Sequence, residues 1–339
     1  MSSRNLPAGI GESRLQVLKA QFLERMKWGC ADEETGEPFI RPFYFLTEKK
    51  GKVQASNADG ADPLAAAMAT RLGVPNWSGI CENLGSRSAL RCEGAMVPSP
   101  LSGQACGSEF EKLVIWFLRQ TLSELAFMRP GDYRVERGGP LKNYVQYRHL
   151  RDFDQVLSYV PDARIALKRR LAAAFSSYAV KPDIVVSREP ISRVEVEEQW
   201  AKYFRRKRGG LFDASVSQRT PILRDNVAAS GEILHAIVSA KWTLRSDRAQ
   251  NARTEGAFSA RERRGHAPHL VVVTGESKPS RIRSLAEGAD IDCVYHFDVD
   301  TLVGVVEDVG GAEEREKLAE LSAMNRLRDL SDLPFDLII

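Results

Sequence analysis

Paired cysteines are missing from this chain. Its five cysteines (Cys30, Cys81, Cys92, Cys106, Cys293) are odd in number and irregularly spaced, with no CxxC pair among them. That disfavours both a disulfide framework and a zinc ribbon, and leaves reduced thiols in a cytoplasmic protein as the expectation. Long apolar runs are missing too. None approaches the roughly 20 residues that span a bilayer, and the opening MSSRNLPAGIGESR lacks the apolar centre of a secretory signal. Neither membrane nor export is therefore expected. A strong charge of one sign is also absent: the net charge is only +3, with 27% charged and 43% hydrophobic residues. This is the balance of an ordinary globular protein, and 339 residues suffice for one large domain or two modest ones. No internal repeat is visible.

What the net charge hides, its distribution reveals. Between Lys241 and Ala267, seven Lys or Arg residues stand against three acids. A local basic surface on a near-neutral chain suits a groove that follows phosphates; a solvated helix face is the plain alternative. Arg205-Arg206-Lys207-Arg208, ahead of Gly209-Gly210, reads as an exposed loop tip.

Periodicity gives the elements. Leu15 to Trp28 repeats as a helix within an extension covering residues 1–50. Residues 51–339 then read as a single domain. Pro63 to Leu72 predicts a short helix, and the Gly-, Ser- and Pro-rich stretch 73–103 an inserted loop. Glu109 to Phe127 predicts a strong helix, with Leu113, Phe117, Leu118, Leu122 and Leu125 on one side. Helices are expected at 150–157 and 163–178. An α/β alternation follows: strands at 183–187, 233–242, 269–274 and 292–297, with helices near 193–204, 247–262, 280–287, 299–307 and 313–325. The expected fold class is α/β, a mixed central sheet flanked by helices.

Four residues suit phosphodiester chemistry. Pro182 fits the first position of a strand and puts Asp183 at its mouth, where a carboxylate can serve a hard cation such as Mg²⁺. Lys241 ends an apolar strand, an unusual place for an ammonium without a partner, although a snorkelling lysine would fit as well. Glu255 lies on the following helix, two turns beyond Arg248 and on the same face. Glu111 sits near the apolar side of the earlier helix and needs a partner if buried. Arg245, Asp247 and Arg248 cluster where strand becomes helix. Arginine can bond guanine O6 and N7, and Asp can accept from cytosine N4. Capping by Ser246 or Asp247 is the structural alternative. His266-x-x-His269, beside Gly265 and Pro268, reads as a loop pair rather than as metal ligands.

The segment SAKWTLRSDRAQNARTEG (239–256), followed by PHLVVVT, PSRI and IDCVYHF, resembles the NgoMIV family of type II restriction endonucleases, within the PD-(D/E)XK superfamily. SNADG (56–60), SGQ (102–104), EFE (109–111), RPGDY (129–133), YVQYRHL (144–150), KPDIVVSR (181–188) and LRDLSDLP (327–334) extend the resemblance in order over about residues 55 to 339.

The resemblance implies roles. Asp183 is the metal-binding Asp and Lys241 the catalytic Lys. Ser239 stands where most of the superfamily carries an acid, a function moved here to Glu255. Glu111 is a further carboxylate, and the carbonyl of Ala240 a metal ligand. Arg245, Asp247 and Arg248 would read an inner CCGG, while Asp59, Gln104 and Arg281 would contact an outer G·C pair. The implied target is double-stranded DNA at the palindrome GCCGGC, cut after the first G with Mg²⁺. The implied assembly is a homodimer at least, extending to a homotetramer on two sites. The chain departs from the family pattern in its extra N-terminal residues, in the longer loop ahead of Gln104, and at Ala61, Cys106 and Ala240. Sensitivity to or dependence on cytosine methylation stays open as a consequence. Two other readings stand beside this one: a sequence-specific binder on the nuclease fold without cleavage, and a repair-type nuclease without sequence preference.

Overall fold

The computed structural model describes residues 13–31, 38–49, 51–56, 62–78, 80, 101–129, 132–151, 181–205, 210–212, 223, 231–288 and 290–338. The first helix, α1 (Arg14–Trp28), opens at a capping box in which Ser13 and Gln16 satisfy each other's backbone N–H groups. Its Leu18, Phe22 and Met26 recur every four residues and are buried. Two small antiparallel ribbons follow, β1 (Cys30–Ala31) with β2 (Pro38–Ile40), and β3 (Leu46–Lys49) with β4 (Lys52–Ala55). Helix α2 (Pro63–Arg71) starts at Asp62, whose side chain accepts from Leu64 N, with proline at its first position. The long helix α3 (Gly103–Leu125) is capped by Ser102.

The remaining elements are β5 (Tyr133–Arg137), β6 (Ile184–Arg188), α4 (Arg193–Phe204), β7 (Ile233–Lys241), α5 (Ser246–Glu262), β8 (His269–Thr274), α6 (Pro279–Ala286), β9 (Cys293–His296), α7 (Val299–Val309), α8 (Ala312–Ala323), β10 (Leu327–Asp329) and α9 (Leu333–Ile338). Six strands form one sheet in the order β10-β9-β8-β7-β6-β5. Strands β7 to β10 run parallel, while β6 and β5 each pair antiparallel with their neighbour. The expected mixed α/β sheet is thus the observed one. β7 is central and buried from Ile233 to Ala240, which explains its unbroken apolar sequence. Only Lys241, at its end, reaches toward solvent.

Within the stretch read as an extension, the described Leu18, Phe22, Met26, Phe43, Tyr44 and Phe45 pack into the main core. The apolar stripe of α1 lies on α3, with the Phe22 and Phe117 rings edge to face at 5.7 Å. Phe43 and Tyr44 pack against Trp242, 5.4 and 5.0 Å between centroids, and Phe110 and Phe297 close the same aromatic cluster. A helix with one apolar face must bury it, and α3 offers the matching surface.

Other differences have local causes. Helix α3 starts at Gly103 rather than Glu109, because the cap is Ser102. Strand β5 was not anticipated: YRVER buries only Val135 inward, so its polar edge face hid it. β10 and α9 are too short to show a period. All but the first two residues of the expected helix 150–157, the expected helix 163–178, most of the 73–103 loop, and residues 206–209 lie outside the described residues.

Replacing Phe22 by Ala is expected to destabilise the protein by about 3–5 kcal/mol, read as a lowered urea midpoint. A change below about 1 kcal/mol would show that α1 is not part of the cooperative core.

Candidate active site

The register of two antiparallel strands makes the site. Ile184 of β6 pairs with Val238 of β7, so Asp183, one residue earlier, faces the end of β7. Oδ2 of Asp183 accepts three hydrogen bonds from consecutive residues: Ser239 Oγ at 3.2 Å, Ala240 N at 3.0 Å and Lys241 Nζ at 2.5 Å. Both partners of the Asp183–Lys241 ion pair have side chains 18% exposed, enough shielding to strengthen the pair beyond a surface contact. All three bonds converge on Oδ2 and leave Oδ1 out. Ser239 is therefore a buried neutral donor to Asp183, in the place where an acid would repel it. Behind Asp183, Gly138 N donates to the Asp183 carbonyl at 3.0 Å. A Cβ on Gly138 would lie 1.8 Å from the Pro182 carbonyl oxygen, so only glycine permits this approach.

Glu255 comes from α5. It is buried, and its Oε1 has no hydrogen-bond partner. Burial pushes its carboxyl up to about 8; the nearby charge of Asp183 adds to the rise and Lys241 opposes it. The three side chains expected to meet therefore share one electrostatic neighbourhood. Glu111, on α3, belongs to it as well. Its carboxyl is raised by burial and then by Asp183, against the pull of Arg137 and Lys241. Arg137 Nη2 stands 3.3 Å from Glu111 Oε2 and bonds Ser108 Oγ at 2.5 Å. Sequence reasoning missed Arg137 and Gly138, which follow an edge strand with no apolar period to mark it.

Among the described residues, no three His, Cys, Asp or Glu side chains form a ready metal cage. Mg²⁺ does not need one, since it is held by one or two carboxylates and completed by waters and phosphate oxygens. Asp183, Glu255 and the Ala240 carbonyl could supply oxygen donors of that kind. The orphaned Glu255 Oε1 is the observation that fits it: a buried carboxylate oxygen with no donor gains from a cation. The two histidines do not form a second metal site. The His266 ring is 2.7 Å from its neighbour's carbonyl, at Ala267, while His269 opens β8 with its ring 5.3 Å from that of His235.

Of the expected base readers, Arg245, Asp247, Arg248 and Arg281 lie beyond the ends of β7 and β8. Arg245 is exposed and occupies the N-cap position of α5, so neither Ser246 nor Asp247 does; Asp247 and Arg248 fall in the helix's first turn. Arg281 lies in the first turn of α6, with Nη1 3.4 Å from Glu276 Oε2. Gln104 is exposed in the first turn of α3. Asp59 lies outside the described residues. Sequence reasoning also passed over Glu276, a carboxylate inside an apparently simple loop.

The family model described as NgoMIV restriction enzyme matches residues 78–339. The type II restriction enzyme NgoMIV of Neisseria gonorrhoeae is 34% identical over 300 residues, covering 86% of this chain and 92% of that protein.

The raised Glu255 carboxyl sets a pH dependence of stability. Its folded value lies above its unfolded one, so its contribution is fully present below the ordinary carboxylate range and is lost as pH rises through about 8. Metal-free Glu255→Gln protein should therefore be more stable than wild type at pH 8, by on the order of a few kcal/mol. The gap should close toward pH 4 in urea titrations. Added Mg²⁺ should raise the wild-type midpoint at pH 8 and leave the variant's unchanged. Equal pH slopes in the two proteins would contradict the assignment.

Proposed function

The chain belongs to the NgoMIV restriction enzyme family, and from that premise we propose how this type II restriction endonuclease reads and cuts double-stranded DNA. The reading is that it hydrolyses the palindrome GCCGGC after the first G with Mg²⁺ as cofactor. The observation that carries it is the grouping of Asp183, Lys241 and Glu255, the last from the helix whose start carries Arg245, Asp247 and Arg248.

Asp183, Glu255 and the main-chain carbonyl of Ala240 would hold the cation. When bound, Mg²⁺ supplies a Lewis acid that offsets phosphate charge and makes water a better nucleophile. Ser239 Oγ and Ala240 N fix the rotation of the Asp183 carboxylate. Lys241, held by Asp183, carries its ammonium to the strand mouth. There it offsets charge on the scissile phosphate and can orient the attacking water. Glu111, braced by Arg137, keeps a third carboxyl beside the reaction centre as a proton acceptor.

Recognition rests on the two helix starts. Arg245 and Arg248 match guanine, and Asp247 matches the cytosine amino group, which gives the inner CCGG. Arg281, Gln104 and Asp59 address the outer G·C pair. A palindrome read by one protein calls for two-fold symmetry, hence a homodimer at least, with a homotetramer joining two sites as the larger assembly.

Digestion of DNA carrying GCCGGC and other CCGG sites with Mg²⁺, unmethylated and CpG-methylated, followed by sequencing of the ends, tests the reading. The expected product is a set of discrete fragments with four-base 5′ overhangs beginning CCGG, and the comparison of the two substrates gives the response to 5-methylcytosine. No discrete cleavage in either methylation state would contradict it. Lys241→Ala should bind the site and fail to cut it, with a rate loss of at least about a hundredfold; retained cutting would remove Lys241 from the mechanism.

A further inference from the structure

Register partners Lys241 and Thr274 end the adjacent parallel strands β7 and β8. Beyond them run two short loops, Trp242–Arg245 and Gly275–Lys278, which lead into α5 and α6 respectively. The loops are fastened together. Gly275 N donates to the Trp242 carbonyl at 3.1 Å, and a Cβ at position 275 would stand 2.4 Å from the Trp242 ring. Glu276, 2% exposed, lies between the loops. Its Oε2 accepts from Leu244 N at 2.7 Å and faces Arg281 Nη1 at 3.4 Å, while Oε1 accepts from Lys278 N at 3.2 Å. Next to it, Ser277 Oγ donates to the buried Asp62 Oδ2 at 2.8 Å. Asp62 caps α2 and lies three positions after Asp59 in the chain.

We propose that Glu276 is a specificity-determining positioning residue, a buried carboxylate that ties the main chain delivering Arg245 to the side chain of Arg281 and so fixes the spacing between the inner and outer base readers. The inference rests on the reading of Arg245 and Arg281 given above. A buried carboxylate is expensive unless well bonded, and this one uses both oxygens on partners that belong to recognition segments. An arginine side chain loses rotamer freedom when it docks. Held against Glu276 beforehand, Arg281 meets the base with less to lose and from one direction. Glu276 is thus coupled to which sequence is cut, while Asp183 and Glu255 govern whether it is cut.

The test compares Mg²⁺-dependent cleavage rates on GCCGGC and ACCGGT duplexes for wild type, Glu276→Gln, Arg281→Ala and the double variant, with melting temperatures for each. Wild type should prefer GCCGGC; if it does not, the underlying site assignment fails before any variant is considered. Glu276→Gln is expected to reduce the preference roughly tenfold. In the Arg281→Ala background it should cause little further change, because both act on the same contact. An unchanged preference, or an equal loss on both duplexes that persists without Arg281, would overturn the proposal in favour of a purely structural loop tie. Should Glu276→Gln melt too low to assay, Glu276→Asp keeps the charge but withdraws it by one methylene. It should shift the preference in the same direction, and a wild-type preference in that variant overturns the proposal equally.

Discussion

Three donors from consecutive residues of β7 meet a single oxygen of Asp183, and the geometry of the site descends from that convergence. It exists only because β6 and β7 are antiparallel with Ile184 set opposite Val238 at this end of the pair. Side chains alternate across a strand, so Ser239 and Lys241 share a face while Ala240 offers its main-chain N–H. A slip of one residue would turn Lys241 away from Asp183 and expose a buried face of the sheet. The register is held from both sides: β7 is buried along nearly its whole length, and Gly138 lets β5 close against Pro182-Asp183. Just past Lys241, Trp242 is wedged among Phe43, Tyr44, Phe110 and Phe297. The lysine therefore stands on an anchored strand end, and residues 43 and 44 of the N-terminal segment help to anchor it.

Around this fixed pair the protein accumulates like charge. Burial raises the carboxyls of Glu255 and Glu111, and the charge of Asp183 raises both further. A structure selected for stability alone would place a neutral side chain at Glu255, whose Oε1 finds no donor. In the proposed mechanism a cation and a phosphate relieve this strain, supplying what the protein withholds. The contrast with Glu276 is instructive. It is buried more completely, yet each of its oxygens is bonded. One carboxylate has an oxygen without a partner, which suits the proposed cation, and the other has both oxygens bonded, which suits the proposed positioning.

Much of this was legible in the sequence. Strands β6 to β9 and the helices between them followed from apolar runs and turn residues, because a parallel core strand such as ILHAIVSAK has no polar face to obscure it. Asp183, Lys241 and Glu255 could be named from the Pro-Asp strand start, the lysine closing an apolar run, and the resemblance of the segment 239–256. What stayed hidden was carried by long-range packing. YRVER looks like solvent-exposed chain until an edge strand is needed. Arg137 becomes relevant only when β5 brings it to Glu111, and Gly138 only when it meets Pro182. The depth of α1 in the core depends on α3, more than seventy residues away. Glu276 looked like a loop acid because its donors, Leu244 and Arg281, come from two different segments.

The central claim is that the unsatisfied Glu255 and the tethered Asp183 hold the catalytic cation together. The most direct measurement is a crystal structure of the protein with a cognate duplex and Mn²⁺, with the metal located by anomalous scattering. The account predicts an anomalous peak within about 2.0–2.3 Å of carboxylate oxygens of both Asp183 and Glu255, with Lys241 facing the scissile phosphate. A metal held without Glu255, or Glu255 turned into a hydrogen bond with the protein away from the ion, would contradict it.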